Sequence, residues 1–126
     1  MADLKFDPDD LIIVNVRIKS KLSTIATSLV FDTGASLVVL PWKLVSAIGI
    51  KIDPDKTIQT TTATTVETVP RIIIPEMTAL GKTVRNVEAA IKDLPPQSPA
   101  EGLLGLSFLK HFKLTIDFKK GLLSLE

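Results

Sequence analysis

The six residues Phe31-Asp32-Thr33-Gly34-Ala35-Ser36 decide how this sequence is interpreted. They follow an apolar, strand-like run over residues 25–31, so one carboxylate is placed on a tight glycine turn directly after a strand. An Asp and a Gly in a turn are by themselves ordinary loop residues. The strand before the turn and the small residues after it make Asp32 a candidate catalytic residue.

The chain has no second copy of this motif. Peptide hydrolysis by paired aspartates needs two carboxylates that share a proton, one to activate a water and one to hydrogen-bond the substrate carbonyl. No other Asp-Thr-Gly or Asp-Ser-Gly occurs in the sequence. Glu101 could be offered as an intrachain partner in a glycosidase-like pair, but its spacing supports only a loop charge. If Asp32 is catalytic, its partner is Asp32 of another chain.

Composition bounds the size and the class of the protein. At 126 residues and 45% apolar content, the chain predicts a single domain over residues 1–126. Its 15 basic and 14 acidic residues give a net charge of +1, so we expect neither nucleic acid nor a membrane as a partner. No apolar run approaches the roughly 20 residues that cross a bilayer, and residues 1–10 lack a signal core. A cytoplasmic protein is expected.

Cysteine and histidine content restrict the chemistry. The absence of cysteine excludes thiol nucleophiles and disulfides, and a single histidine makes a multi-histidine metal site unexpected. That histidine, His111, lies beside Lys110 in a predicted helix and is interpreted as a surface residue. The sequence implies no metal and no organic cofactor.

Short apolar or alternating runs rich in Val, Ile and Thr predict a mainly β fold. Pro41 and Gly49 bracket a predicted helix, Trp42–Ile48, and Ser107 is a plausible N-cap of a second helix over residues 107–112. The first ten residues, with four aspartates, are interpreted as a polar arm. The predicted strands are residues 11–19, 25–31, 37–40, 71–75 and 82–92, with a two-stranded ribbon over 57–69 and a final hairpin of 113–118 and 122–125.

Two segments together resemble the retropepsin-like aspartic proteases, the single-domain, dimeric relatives of the bilobal pepsins. One is the Asp32 motif with Leu37-Val38-Val39-Leu40-Pro41 behind it, and the other is Gly102-Leu103-Leu104-Gly105-Leu106-Ser107-Phe108-Leu109 with its hairpin. The second is most similar to the cellular and prokaryotic members. The resemblance spans roughly residues 11–125, and it implies a closed β fold with one or two short helices and an active site at a homodimer two-fold axis.

The resemblance also implies a role for each residue of the motif. Asp32 matches the catalytic aspartate, and Thr33 would hydrogen-bond to the same loop of the other subunit. Gly34 would allow the tight turn and the close approach of substrate. Leu104 and Gly105 would pack beneath the loop as its support.

In the same resemblance, the ribbon over residues 57–69 is a flap that closes over bound peptide. Its tip is placed near residues 61–65, with Ala63 where many relatives carry glycine. The hairpin over residues 113–126 would lie at the dimer interface. The substrate-binding residues are predicted to be Gly34, Ala35, Thr62, Ala63 and Thr64.

The sequence therefore predicts an aspartic endopeptidase that hydrolyses extended or unfolded polypeptides through a water activated by two Asp32 residues. The alternative is a catalytically weak or inactive peptide-binding or dimerisation module with the same fold. A third interpretation is a monomeric β domain whose Asp-Thr-Gly is only a turn, and a fourth is a domain that matures a larger polyprotein.

Overall fold

The structure is a computed structural model that describes residues 2–61 and 63–126. Over these residues the chain forms two short helices, α1 (Trp42–Ile48) and α2 (Leu106–Leu109), and ten strands. The strands are β1 (Ala2–Lys5), β2 (Ile13–Lys19), β3 (Thr24–Phe31), β4 (Val38–Leu40), β5 (Thr57–Thr61), β6 (Val66–Ala79), β7 (Lys82–Ile91), β8 (Gly102–Leu104), β9 (Leu114–Asp117) and β10 (Leu122–Leu125).

Six of the strands close into a barrel. They hydrogen-bond in the order β2-β3-β8-β4-β7-β6, and β6 pairs with β2 to complete the ring. Strand β2 shows how the barrel encloses a core. Its residues Val14, Val16 and Ile18 are buried, and the residues between them are exposed. This period of two is that of a strand with one face on a core. The predicted mainly β, closed fold with short helices is confirmed.

Two parallel pairings place the site. Strand β3 runs parallel to β8, with Phe31 opposite Leu104, and β4 runs parallel to β7. Strand β4 also meets β8 at Val39 and Leu103. Because β3 and β8 run the same way, the loop that begins at Asp32 and the turn that begins at Gly105 emerge side by side.

Helix α1 has the predicted bounds. It begins after Pro41, whose carbonyl accepts a hydrogen bond from the Val45 N–H, and it ends at Gly49 in a left-handed conformation with φ 70°. Leu44, Val45 and Ile48 on its inner face are buried in the barrel core. Neither of the two helices in the described residues is long and apolar enough to cross a membrane.

The first residues differ from the prediction. Residues 2–5 of the expected polar arm form β1, which pairs with β10, so the three-stranded terminal sheet has the order β1-β10-β9. Leu4 packs on the main core, and the Ser124 hydroxyl donates to the Asp3 carboxylate at 2.6 Å. The aspartates made this segment look like a polar arm. Its strand partner lies at the opposite end of the sequence, so no local pattern indicated the pairing.

The ribbon is present, and its second strand is longer than predicted. β5 pairs with the start of β6, and β6 continues to Ala79 instead of breaking at Pro70. The pairing with β7 skips Pro75, opposite Asn86, which has φ 57°. Proline has no N–H to donate to a ladder, so an unpaired position such as this one is where a proline can lie inside a strand.

Candidate active site

The backbone of Asp32 is fixed by neighbouring strands. The Phe31 N–H donates to the Ile12 carbonyl at 2.8 Å, and the Asp32 N–H donates to the Leu104 carbonyl at 3.1 Å. The Ala35 N–H then donates to the Asp32 carbonyl at 3.3 Å and closes the turn. Asp32 therefore stands at a defined point where β3 and β8 end together.

The carboxylate is oriented by the glycine that follows it. Oδ1 of Asp32 accepts a hydrogen bond from the Gly34 N–H at 2.8 Å. A Cβ at Gly34 would stand 3.1 Å from that same oxygen, so a larger residue would crowd the carboxylate. Asp32 is half-buried, whereas Thr33 and Gly34 are exposed. One face of the turn thus remains open to substrate or to another chain.

The predicted support residues contact this loop. Leu104 is fully buried and accepts the Asp32 N–H, and the Leu106 N–H donates to the Ala35 carbonyl at 2.8 Å. A Cβ at Gly105 would overlap the carbonyl of Leu37 and stand 2.7 Å from the carbonyl of Ala35. Only glycine lets the backbone of the second turn lie against the Asp32 loop this closely.

Ser107 does not act as the predicted N-cap. α2 begins at Leu106, with Gly105 in the N-cap position and no side-chain cap. The Ser107 side chain is buried, where its hydroxyl accepts the Val38 N–H at 2.8 Å and donates to the Glu88 carbonyl at 2.7 Å. It therefore joins α2 to β4 and β7. The apolar residues on both sides of Ser107 in the sequence were the available signal that its side chain is buried.

A cavity of about 460 Å³ lies between the Asp32 loop and β5. Apolar residues of one small packed cluster form its floor, chiefly Val39, Ala90 and Ile58. The described residues that line it are Asp32, Gly34, Ala35, Ser36, Leu37, Val39, Ile58, Gln59, Thr60, Thr61, Ala90, Lys92, Leu94 and Leu103. Asp32 is the only acid among these lining residues, which defines an apolar cleft with one carboxylate at its edge.

The cleft contains part of the predicted substrate-binding set. Gly34 and Ala35 line it, whereas Ala63 and Thr64 lie at the exposed ribbon tip and are not among the lining residues described. Thr62 falls outside the described residues. The roles of these five residues stay predictions.

Several cleft residues were missed by the sequence prediction, and Lys92 is the charged one among them. Lys92 lines the cavity, and its ammonium lies 3.1 Å from a carboxylate oxygen of Glu67 in the ribbon. No motif marks this lysine, since its place depends on the parallel pairing of β7 with β4. Across residues 2–61 and 63–126, no three His, Cys, Asp or Glu side chains lie close enough together to hold a metal ion.

The fold and this site define an aspartic protease domain, and comparisons agree. Residues 14–108 match the family model described as aspartyl protease, so the chain belongs to that family and its general function is that of a protease. A crystal structure of a retropepsin-like aspartic protease from Rickettsia conorii is similar, with a TM-score of 0.69 and 25% sequence identity. The similarity covers 98% of this chain and 87% of that one, which confirms the retropepsin-like fold. No curated protein matched the sequence.

Proposed function

We propose that the protein is a homodimeric aspartic endopeptidase whose active site contains Asp32 from each of two subunits. The observation that carries this proposal is the single acid of the cleft: Asp32 is hydrogen-bonded in place, and no other Asp or Glu is among the described lining residues. Paired-aspartate chemistry needs a second carboxylate. A second copy of the same loop supplies it by symmetry.

The exposure of the Asp32 loop supports this arrangement. Thr33 and Gly34 are exposed in the single chain, so the loop is open to the corresponding loop of a second subunit. The neighbouring turn at Gly105 is filled by backbone contacts and carries no acid. In this proposal the second carboxylate comes from outside the chain, and the exposed Thr33 bonds to the partner's loop.

In the proposed reaction the two carboxylates share one proton. The ionised member takes a proton from the bound water, which attacks the scissile carbonyl, while the protonated member hydrogen-bonds the carbonyl oxygen. The proton then passes to the leaving nitrogen, and no covalent intermediate with the enzyme forms. The hydrogen bond from Gly34 fixes one oxygen of Asp32, so the other can face the water.

The proposed substrate is an extended segment of polypeptide with apolar side chains near the scissile bond. β5 lines the cleft through Ile58 to Thr61, and in the described part of the chain it pairs on one side only, with β6. An open strand edge binds an extended peptide through main-chain hydrogen bonds. The apolar floor of the cleft then selects the side chains, and the ribbon acts as the flap.

We place the subunit contact at the Asp32 loop and at the terminal sheet. Leu123 and Leu125 of the final hairpin are fully buried within the chain, so that hairpin does not need a partner to cover its apolar side chains. Its outer strand β9 pairs only with β10 among the described residues. The open edge of β9 can therefore add a strand from a second copy.

Cleavage of unfolded casein tests the proposal. Wild type, Asp32→Asn and the exposed-acid control Asp9→Asn are compared from about pH 3 to about pH 7, a range that includes the higher of the two pKa values of such a dyad. Asp32→Asn should lower the rate by at least about a thousandfold, the upper range for a lost acid-base group, and Asp9→Asn should cleave as wild type does. Equal cleavage by Asp32→Asn would refute the assignment. A folded dimer that binds casein without cutting it would favour the binding-module alternative.

A further inference from the structure

A second cavity lies away from the cleft. It has a volume of about 950 Å³ and shares no lining residue with the Asp32 cavity. Its walls are the turn between β2 and β3, the segment that follows α1, and the part of β6 just beyond the ribbon. We call this cavity the basic groove, lined by residues 20–22, 49–54, 56, 71–73 and 75.

Positive charge is concentrated in the basic groove. Four cations line it, Lys21, Lys51, Lys56 and Arg71, against one acid, Asp53. Among the described residues none of these four cations forms an ion pair. The groove therefore has an excess of three positive charges, whereas the whole chain has a net charge of +1.

The acid of the groove is already engaged. Oδ1 of Asp53 accepts the backbone N–H of Asp55 at 2.9 Å, and the Asp53 carbonyl accepts the N–H of Lys56 at 3.0 Å. Asp53 thus holds the turn on one wall. The four cations remain available to an anionic ligand.

Apolar side chains accompany these charges. Leu22 is 83% exposed and Ile73 is 46% exposed, although both are large hydrophobic residues. Both line the groove, as do the half-buried Ile50 and Ile52, which pack against the main core. A ligand that carried only negative charge would leave this apolar surface in water.

The walls of the groove are preorganised. The Ser20 hydroxyl donates to the Ile48 carbonyl at 2.5 Å at the end of α1, and it accepts the Leu22 N–H at 3.2 Å. On the other wall, the Arg71 N–H donates to the Lys56 carbonyl at 3.0 Å. Fixed walls reduce the entropy lost when a ligand binds.

We propose that the basic groove binds an extended polypeptide segment in which acidic side chains alternate with apolar ones. The four cations match the acidic side chains, and Leu22 and Ile73 match the apolar ones. Lys56 precedes the first strand of the ribbon, and Arg71 lies just after the ribbon ends. A bound segment therefore contacts the chain next to both ends of the ribbon. Its use in choosing protease substrates rests on the proposed function, whereas binding itself does not.

Binding is measured with the Asp32→Asn protein, so that the result does not depend on catalysis. The probe is a fluorescein-labelled peptide of about ten residues, about 33 Å when extended, that alternates glutamate and leucine. Glutamate–serine and lysine–leucine peptides of equal length serve as controls. We expect the glutamate–leucine peptide to bind at least about tenfold more tightly than either, with amide NMR shifts at Lys21, Leu22, Lys51 and Ile73.

Variants then separate charge from fold. Lys21→Glu with Lys51→Glu should weaken binding about tenfold. The matched control, Lys43→Glu with Lys110→Glu, reverses two exposed lysines that line no described cavity and should bind as the parent does. Leu22→Ser should weaken binding about threefold.

Several results would overturn the proposal. Shifts confined to the Asp32 cavity would place the peptide in the cleft, and equal binding of the glutamate–serine peptide would reduce the groove to a general anion site. No binding up to about 1 mM would also reject it. Loss of the dimer in the Lys21→Glu, Lys51→Glu protein would reassign the groove to a contact between subunits.

Discussion

The turns that follow β3 and β8 lie side by side, but they differ in chemistry. Phe31 pairs with Leu104, so Asp32 and Gly105 occupy corresponding positions after two parallel strands. Asp32 is half-buried and leads into exposed residues, whereas Gly105 is buried against the backbone of residues 35–37. The first turn presents a carboxylate, and the second fills the space behind it.

The two turns therefore have different roles within one chain: the Asp32 turn presents the carboxylate, and the Gly105 turn supports it. An acid at Gly105 would need room that the carbonyls of Ala35 and Leu37 already occupy. The chain therefore keeps one acid turn and one packing turn, and symmetry between two chains supplies the second acid. The predictions below alter one turn at a time, from the largest expected effect to the smallest.

Gly105→Ala should have the largest effect, on stability. Its Cβ would overlap the backbone of Leu37, and backbone cannot move aside as a flexible side chain can. We expect a loss of about 4 kcal/mol in the free energy of unfolding, or no folded protein at all. Urea titration measures it, and a loss below about 1 kcal/mol would show that the two turns are not packed as described.

Gly34→Ala should affect activity instead. Its Cβ would press on Oδ1 of Asp32 in an exposed loop, so the carboxylate shifts while the core is untouched. We expect kcat/KM to fall about a hundredfold, with a stability change below about 1 kcal/mol. A variant that unfolds like Gly105→Ala would remove the distinction between the two turns.

Ser107→Ala tests the connection behind the turns. It leaves the Val38 N–H and the Glu88 carbonyl without their hydroxyl partner in the interior. The free energy of unfolding should fall by about 2 kcal/mol. Ser46→Ala, at an exposed position of α1, is the control and should change stability by less than about 0.5 kcal/mol. Equal effects in the two variants would contradict the bonding assigned to Ser107.

Thr33→Ala should have the smallest effect on the single chain and a visible one on the dimer. Thr33 is exposed, so folding of the monomer should be unchanged within about 0.5 kcal/mol. Loss of a hydrogen bond between subunits should raise the dimer dissociation constant about tenfold. Sedimentation measures this, with Thr57→Ala as an exposed control, and an unchanged constant would remove Thr33 from the interface.

The parts that sequence predicted well depend on local signals. Pro41 and Gly49 set both ends of α1, and the apolar run before Asp32 predicted β3. The two strands of the ribbon, β5 and the start of β6, also lie where the Thr-rich run predicts them. These features need only a few neighbouring residues to be interpreted.

The parts that sequence missed depend on distant partners. Ser107 meets Val38 across 69 positions of sequence, and Asp3 meets Ser124 across 121. Lys92 reaches the cleft only because β7 lies beside β4. No local pattern encodes such pairings, so an N-cap was predicted for Ser107 and a polar arm for the residues that form β1.

The most direct test of the two-chain site uses mixed dimers of wild type and Asp32→Asn, refolded together in equal amounts. If both Asp32 residues are needed, only wild-type dimers cut, so activity should be about one quarter of that of wild type at the same total concentration. Activity of about one half would mean that each chain works with its own Asp32 alone. That result would contradict the shared active site.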